Sequence, residues 1–379
     1  MSASFPTYGF EPARLAERLR ERGLAAALLT SPENVFYTTG YTTLPSAGNP
    51  ILYMLRNRLP YYALVDSGGR VTLGCWGFST EGVDFGADEI VRFNDFAGAL
   101  SGLQAVLREH APRGPIAVES TCPRFVGDLA RAAAGGVEPA ACAGELLARL
   151  RLFKSPRERE LLERSVEVIE ETAAELFGEM YLGMSRLELM REARTRLMRN
   201  GADGISHLTF SFARENPEFA IDEPLEPGSL VTLDLGAIVD GYCSDNRRYA
   251  YGGEPPPALV DTYERMVGIV DDVGAALIPG ATYAAVSALA LERFAASGID
   301  LLARFTHVGH HIGLETEEEW IDDNAELVVE AGMVINIELY TKAESGEQIG
   351  DEETYVIEES GPRRISVLPR EIHVVGARR

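Results

Sequence analysis

The stretch VTLDLGAIVDGYCSDNRRYAY (231–251) reads as two strands joined by a tight turn, with an aspartate set into each arm. Asp240-Gly241 is a hairpin dipeptide, because both residues tolerate the positive φ that a two-residue loop requires. Such a loop pairs 239 with 242, 236 with 245 and 234 with 247. Strand side chains alternate with period two and directly opposed residues share a face. Asp234 and Asp245 therefore become diagonal neighbours on one face, within reach of a shared cation. Asp234 lies between Leu233 and Leu235, and a carboxylate in apolar surroundings is costly unless something positive meets it.

Three further stretches repeat the device. MVINIELY (333–340) places Glu338 in an apolar alternation, and IGDEETYVI (349–357) supplies Glu352 across the loop KAESGE. Asp351 and Glu353 adjoin Glu352, and a one-residue slip of register exchanges their faces. In HVGHHIGL (307–314) the residues His307, His310 and His311 crowd together, with glycines that permit close backbone approach. Four carboxylates carry about four negative charges; two divalent cations would cancel them, and the neutral imidazole of His310 adds a ligand. Asp234, Asp245, His310, Glu338 and Glu352 are thus the candidate ligands of a two-metal site in an enzyme.

The bulk properties narrow the classes. At 379 residues the chain is long enough for two domains. A hydrophobic fraction of 46% with 25% charged residues belongs to a globular protein in water. A net charge of −23 argues against nucleic acid or an anionic membrane as partner. No apolar run approaches the ~18 residues of a membrane helix. The start MSASFPTYGF has neither a basic nor an apolar leader segment, so secretion is not expected. Cys75, Cys122, Cys142 and Cys243 are scattered without a CxxC pair, as reduced thiols of a cytoplasmic protein are.

Along the chain, residues 1–150 alternate helical and strand patterns. FEPARLAERLRERG (10–23) is amphipathic, AAALLT (25–30) is a buried strand, and SPEN (31–34) reads as a turn. YYALVD and RVTLGC form a hairpin across SGG, PIAVES (115–120) is a further strand, and FVGDLARAAAG a short helix. The expectation is an α/β domain over 1–150. From 151 to 379 the order is helices, strands, helices, strands, which is an α+β domain. Its first helix follows the cap Ser155-Pro156 and is expected to run to about Gly183, and the second covers SRLELMREARTRLMRNG (185–201).

These motifs resemble peptidase family M24, the pita-bread metallohydrolases that include methionine aminopeptidase, Xaa-Pro aminopeptidase, prolidase and creatinase. The resemblance rests on D-x-G at 234–236, G-Y-x-S-D at 241–245, G-H-x-I-G at 309–313 and the two separated glutamates. The first half is similar to the creatinase-type N-terminal domain through SPENVFYTTGY (31–41), and LRLFKSPRERE is similar to the family's entry into the catalytic domain. The resemblance implies one metal on Asp234, Asp245 and Glu352, and another on Asp245, His310, Glu338 and Glu352. It implies Mn, Fe, Co or Zn, a metal-activated water, Glu338 as its proton acceptor, and a homodimer with the N-terminal domain near the partner's active site. Tyr37, Arg56 and Arg58 are candidates for that contribution.

Two histidines usual in the peptidase members are absent. No histidine occurs between 208 and 306, where the approach reads ARENPEFAIDEPLEPGS, and in GLETEEEW the second is replaced by Glu317 or a close neighbour. His207 reads as structural, and His307 as a substrate-facing catalytic histidine. Glu317, among the acids Glu315, Glu318 and Glu319, suits a cationic part of a substrate, whereas Arg214 suits a carboxylate. The function expected is an Xaa-Pro aminopeptidase- or prolidase-like metal-dependent hydrolase of an amide or related C–N bond, acting on a dipeptide-like or other small molecule. The alternative is a non-peptidase relative: a creatinase- or ectoine-hydrolase-like enzyme, or a lyase.

Overall fold

The computed structural model describes residues 3–5, 7–78, 80–212, 221–302, 307–324 and 326–377. The chain divides into two compact units, Met1–Arg151 and Leu152–Arg379.

The first unit is built on a five-stranded mixed sheet in the order Glu89–Phe93, Val71–Trp76, Tyr62–Asp66, Ala26–Leu29, Ile116–Val118. The two inner pairings are antiparallel and the two outer ones parallel. Its apolar residues Leu28, Tyr62 and Leu64 pack with Leu103, Leu107 and Val126 from the helices Phe96–His110 and Arg124–Ala133. The SPEN segment does not end as a turn. It opens the helix Pro32–Thr39, with the Ser31 side chain accepting a hydrogen bond from the Asn34 amide and Pro32 in the first turn. Residues that favour turns also favour helix N-termini, so the two signals coincide. Buried Glu119 anchors this corner, accepting from Thr30 Oγ1 at 2.9 Å, Ser31 N at 2.8 Å, and Ser31 Oγ and Asn34 Nδ2 at 2.7 Å.

The second unit is α+β. The helix Pro156–Glu179 begins with a complete capping box between Ser155 and Glu158. It ends four residues before Gly183, because Met180 already has extended backbone. One sheet pairs Gly204–Phe212 with Leu230–Val239 and continues through Asn246–Gly252 to His373–Val375. The other runs Glu319–Ile321, Gly309–His311, Val334–Lys342, Gln348–Glu358, Gly361–Arg364. The helices Pro257–Ala275 and Tyr283–Ser297 supply Met266, Val270, Val273, Val286 and Phe294 to a core shared with Ile335, Ile337 and Ile357. The face of Val334–Lys342 that carries Ile335 and Ile337 is thereby committed to apolar packing, and Glu338 lies on the other.

Candidate metal centre

The hairpin closes through Asp240 and Gly241, at φ 49° and 92°. Val239 pairs with Tyr242 and Asp234 with Arg247, while Thr209 flanks Asp234 from the opposite strand. Asp234 and Asp245 meet at one atom: His207 Nε2 lies 3.0 Å from Asp234 Oδ1 and 3.1 Å from Asp245 Oδ1. A register shift between Ile205 and His207 brings this histidine to Gly236. There a Cβ would stand 2.0 Å from Ser206 Oγ and 2.4 Å from His207 Nδ1. Glycine in the D-x-G motif is therefore what admits the imidazole.

The second acid pair follows from register alone. Glu338 and Glu352 are directly opposed in an antiparallel ladder. Period two sends Asp351 and Glu353 to the other face, where Arg370 Nη1 meets Asp351 at 2.9 Å and Arg248 Nη2 meets Glu353 at 2.8 Å. His310 is opposed by Asn336 on one side and Trp320 on the other. Its Nδ1 faces the His311 carbonyl oxygen at 3.3 Å, so Nε2 presents its lone pair, 3.8 Å from Asp245 Oδ2. Asn336 Nδ2 donates to Glu352 Oε1 at 2.6 Å, and Thr354 Oγ1 donates to Asn336 Oδ1 at 3.2 Å. His311 turns the other way, its Nε2 2.5 Å from the Tyr283 hydroxyl.

Asp245, His310 and Glu352 are all buried, and they offer two oxygens and a nitrogen within 4.8 Å of one another. His207, Asp234 and Asp245 form a second such group. Glu352 Oε2 is buried with no hydrogen-bond partner among the described residues. Burial pushes the Glu352 carboxyl well above its ordinary value, and repulsion from Asp245, Glu338 and Asp234 pushes it further. A divalent cation is what this arrangement of carboxylate and imidazole donors fits. Burial also raises Glu338, against the lowering pull of Arg247. At Asp234 burial is outweighed by Arg247 and His207, which hold its carboxyl below the usual carboxylate range.

Arg247 was not singled out from the sequence. Its guanidinium is buried, pairs with Asp234 Oδ2, lies 3.5 Å from Glu338 Oε1 and sits over the Tyr340 ring at 4.4 Å. The signal was present, since the hairpin register sets residue 247 opposite Asp234. His307 packs its ring 3.9 Å from that of Trp320, which also contacts His310 at 5.6 Å, so both histidines border one indole. Burial and the neighbouring His310 push His307 below its ordinary value. Glu317 is exposed; the acid that turns inward is Glu318, paired with Lys154 Nζ at 2.8 Å. Arg214 lies outside the described residues. In the first unit Tyr37 is buried against Phe10, Arg56 covers the Tyr53 ring, and Arg58 is exposed.

Comparison with known proteins agrees with this geometry. Residues 160–359 match the family described as metallopeptidase family M24, and residues 13–153 match the creatinase/prolidase N-terminal domain. An uncharacterized peptidase of Bacillus subtilis, YqhT, is 31% identical over 61% of this chain and 67% of its own. The Xaa-Pro dipeptidase of Pyrococcus horikoshii is 24% identical over 95% of this chain and 97% of its own. Among solved structures, the prolidase from Pyrococcus horikoshii superposes with a TM-score of 0.79 at 21% identity, covering 95% of this chain and 99% of that one. An Xaa-Pro dipeptidase from Bacillus anthracis gives 0.80 at 20% identity, covering 96% and 99%. The architecture is therefore a creatinase-type domain followed by a pita-bread domain, and the chain belongs to metallopeptidase family M24.

Proposed function

We propose that this protein is a metal-dependent dipeptidase that hydrolyses Xaa-Pro dipeptides, with its chemistry at Asp234, Asp245, His310, Glu338 and Glu352. The observation that carries the reading is the buried Asp245–His310–Glu352 cluster, with its unpartnered Glu352 oxygen, inside an M24 fold. An Xaa-Pro dipeptidase and a prolidase stand among the proteins this chain resembles, which favours this reading over a creatinase- or ectoine-hydrolase-like enzyme or a lyase. Asp245, His310 and Glu352 would hold a divalent cation, Mn, Fe, Co or Zn by their donor set, which would supply a water of lowered pKa and polarise the scissile carbonyl. Glu338 accepts the proton of that water. Its burial raises its basicity, and the Tyr340 hydroxyl donates to Oε1 and fixes the carboxylate's orientation. The same carboxyl then hands the proton to the leaving nitrogen. His307, held neutral at pH 7 by its surroundings, offers the substrate a hydrogen-bond acceptor beside Trp320. Arg214 and Glu317 are kept as substrate-binding candidates for the carboxylate and the cationic end of a dipeptide.

The proposal includes a homodimer in the cytoplasm. Four free thiols suit a reducing compartment, and no helix of the described residues is long and apolar enough to cross a membrane. The test is kcat/KM on a dipeptide panel with Mn²⁺ or Co²⁺, scored as proline release. Preference for proline in the second position supports the reading, and absence of turnover on every Xaa-Pro dipeptide with either metal rejects it.

A further inference from the structure

Arg247 sets a permanent positive charge among the acids of the centre. It lies opposite Asp234 in the ladder, so the backbone itself holds it there. One nitrogen, Nη2, pairs with Asp234 Oδ2 and stands 3.5 Å from Glu338 Oε1, thereby joining two carboxylates that the family resemblance allots to different metals. The other oxygen of Asp234 is engaged by His207 Nε2 at 3.0 Å, and Glu338 Oε1 also takes the Tyr340 hydroxyl. Both oxygens of Asp234 are thus held by protein donors. A guanidinium does not deprotonate to make way for a cation, and packing over Tyr340 fixes its plane.

The other half of the centre is different. His310 Nε2 and Asp245 Oδ2 face each other at 3.8 Å, and Glu352 Oε2 has no hydrogen-bond partner among the described residues. The three ligand groups converge within 4.8 Å. His207, Asp234 and Asp245 also converge, but both Asp234 oxygens are already taken by Arg247 and His207, so a pair of cations does not fit the residues present, whereas one does. We propose that Arg247 serves as the built-in cation of one half of the centre, so that the protein binds a single divalent ion on Asp245, His310 and Glu352. This rests on the metallohydrolase reading above and replaces the two ions that the acid pattern alone leads one to expect.

The test is a metal count on the full-length protein dialysed against Mn²⁺. The wild type returns one equivalent per chain, with the electron paramagnetic resonance spectrum of an isolated, uncoupled Mn²⁺ ion. Arg247→Gln keeps the bulk, removes the charge and raises the count to two. The double variant Asp234→Asn/Arg247→Gln removes both halves of the pair and returns the count to one. Two equivalents in the wild type, or a single equivalent in folded Arg247→Gln, overturn the proposal while leaving the hydrolase reading standing. If Arg247→Gln fails to fold, the wild-type and double-variant counts decide, and two equivalents in either overturns the proposal. No Mn²⁺ bound by the wild type overturns the proposal and the metal-hydrolase reading together.

Discussion

Replacing Lys154 by Met should destabilise the catalytic unit far more than an ordinary lysine substitution does. The Lys154 and Glu318 side chains are 1% and 3% exposed, and Nζ meets Oε2 at 2.8 Å. Glu318 also holds the segment that follows His310. Its Oε1 accepts from the Leu314 amide at 3.0 Å, and a Cβ on Gly313 would come within 2.4 Å of it. Removing one partner of a buried ion pair costs about 3–5 kcal/mol, because the remaining charge loses its counter-ion in a low-dielectric setting. For a unit of this size that lowers Tm by about 6–20 °C. Lys154→Met/Glu318→Gln removes both charges and keeps an acceptor for Leu314, so most of the loss is recovered. Thermal unfolding followed by circular dichroism on the wild type, both single variants and the double variant closes the cycle. A Lys154→Met loss below about 1 kcal/mol, the range of an exposed pair, would show that the pair is not a buried, structure-bearing one. So would a double variant as unstable as Lys154→Met.

Three other outcomes are expected. Gly236→Ala forces its Cβ against Ser206 and His207; kcat should fall by about 10²-fold, the scale of a misplaced catalytic group, with the circular dichroism spectrum unchanged. Glu119→Ala strips the acceptor from the donors of Thr30, Ser31 and Asn34, and should lower stability by about 3 kcal/mol in urea unfolding; a loss under about 0.5 kcal/mol contradicts that role. Burial, with Arg113 and Arg70 opposing Asp66 and Glu109, pushes His110 below its ordinary value of 6.5. The unfolded chain then takes up the proton first, so this contribution is complete above about pH 6.5 and is lost as pH falls through the lowered native value. Urea unfolding of His110→Gln should show a shallower loss of stability on acidification, and an unchanged slope contradicts the assignment.

The acid pairs were legible because strand period and hairpin register are short-range quantities. Asp240-Gly241 sets the pairing of 234 with 247, whereas no turn signal fixes the register across KAESGE, and only the observed ladder of 338 with 352 decides among Asp351, Glu352 and Glu353. The histidine between the aspartates was not legible. His207 arrives from a separate strand through a register irregularity, and no pattern of alternation announces a bulge. Register places Arg247 opposite Asp234, but alternation does not show that its guanidinium stays with the acids rather than extending away from them. Between Glu317 and Glu318 the chain runs through bends rather than a regular element, so periodicity had nothing to say about which acid turns inward. At Ser31-Pro32 the same residues encode a turn and a helix cap, and the anchor that favours the helix, Glu119, lies 88 residues from Ser31.

Peptide hydrolysis here is expected to depend on a cation held by the His310 cluster. The most direct test of that dependence is proline release from an Xaa-Pro dipeptide by protein stripped with a chelator and then restored with Mn²⁺, run beside His310→Ala. Stripping should abolish release, Mn²⁺ should restore it in the wild type, and His310→Ala should neither retain the metal nor recover activity. Proline release that survives stripping, or that persists at the wild-type rate in His310→Ala, would contradict it.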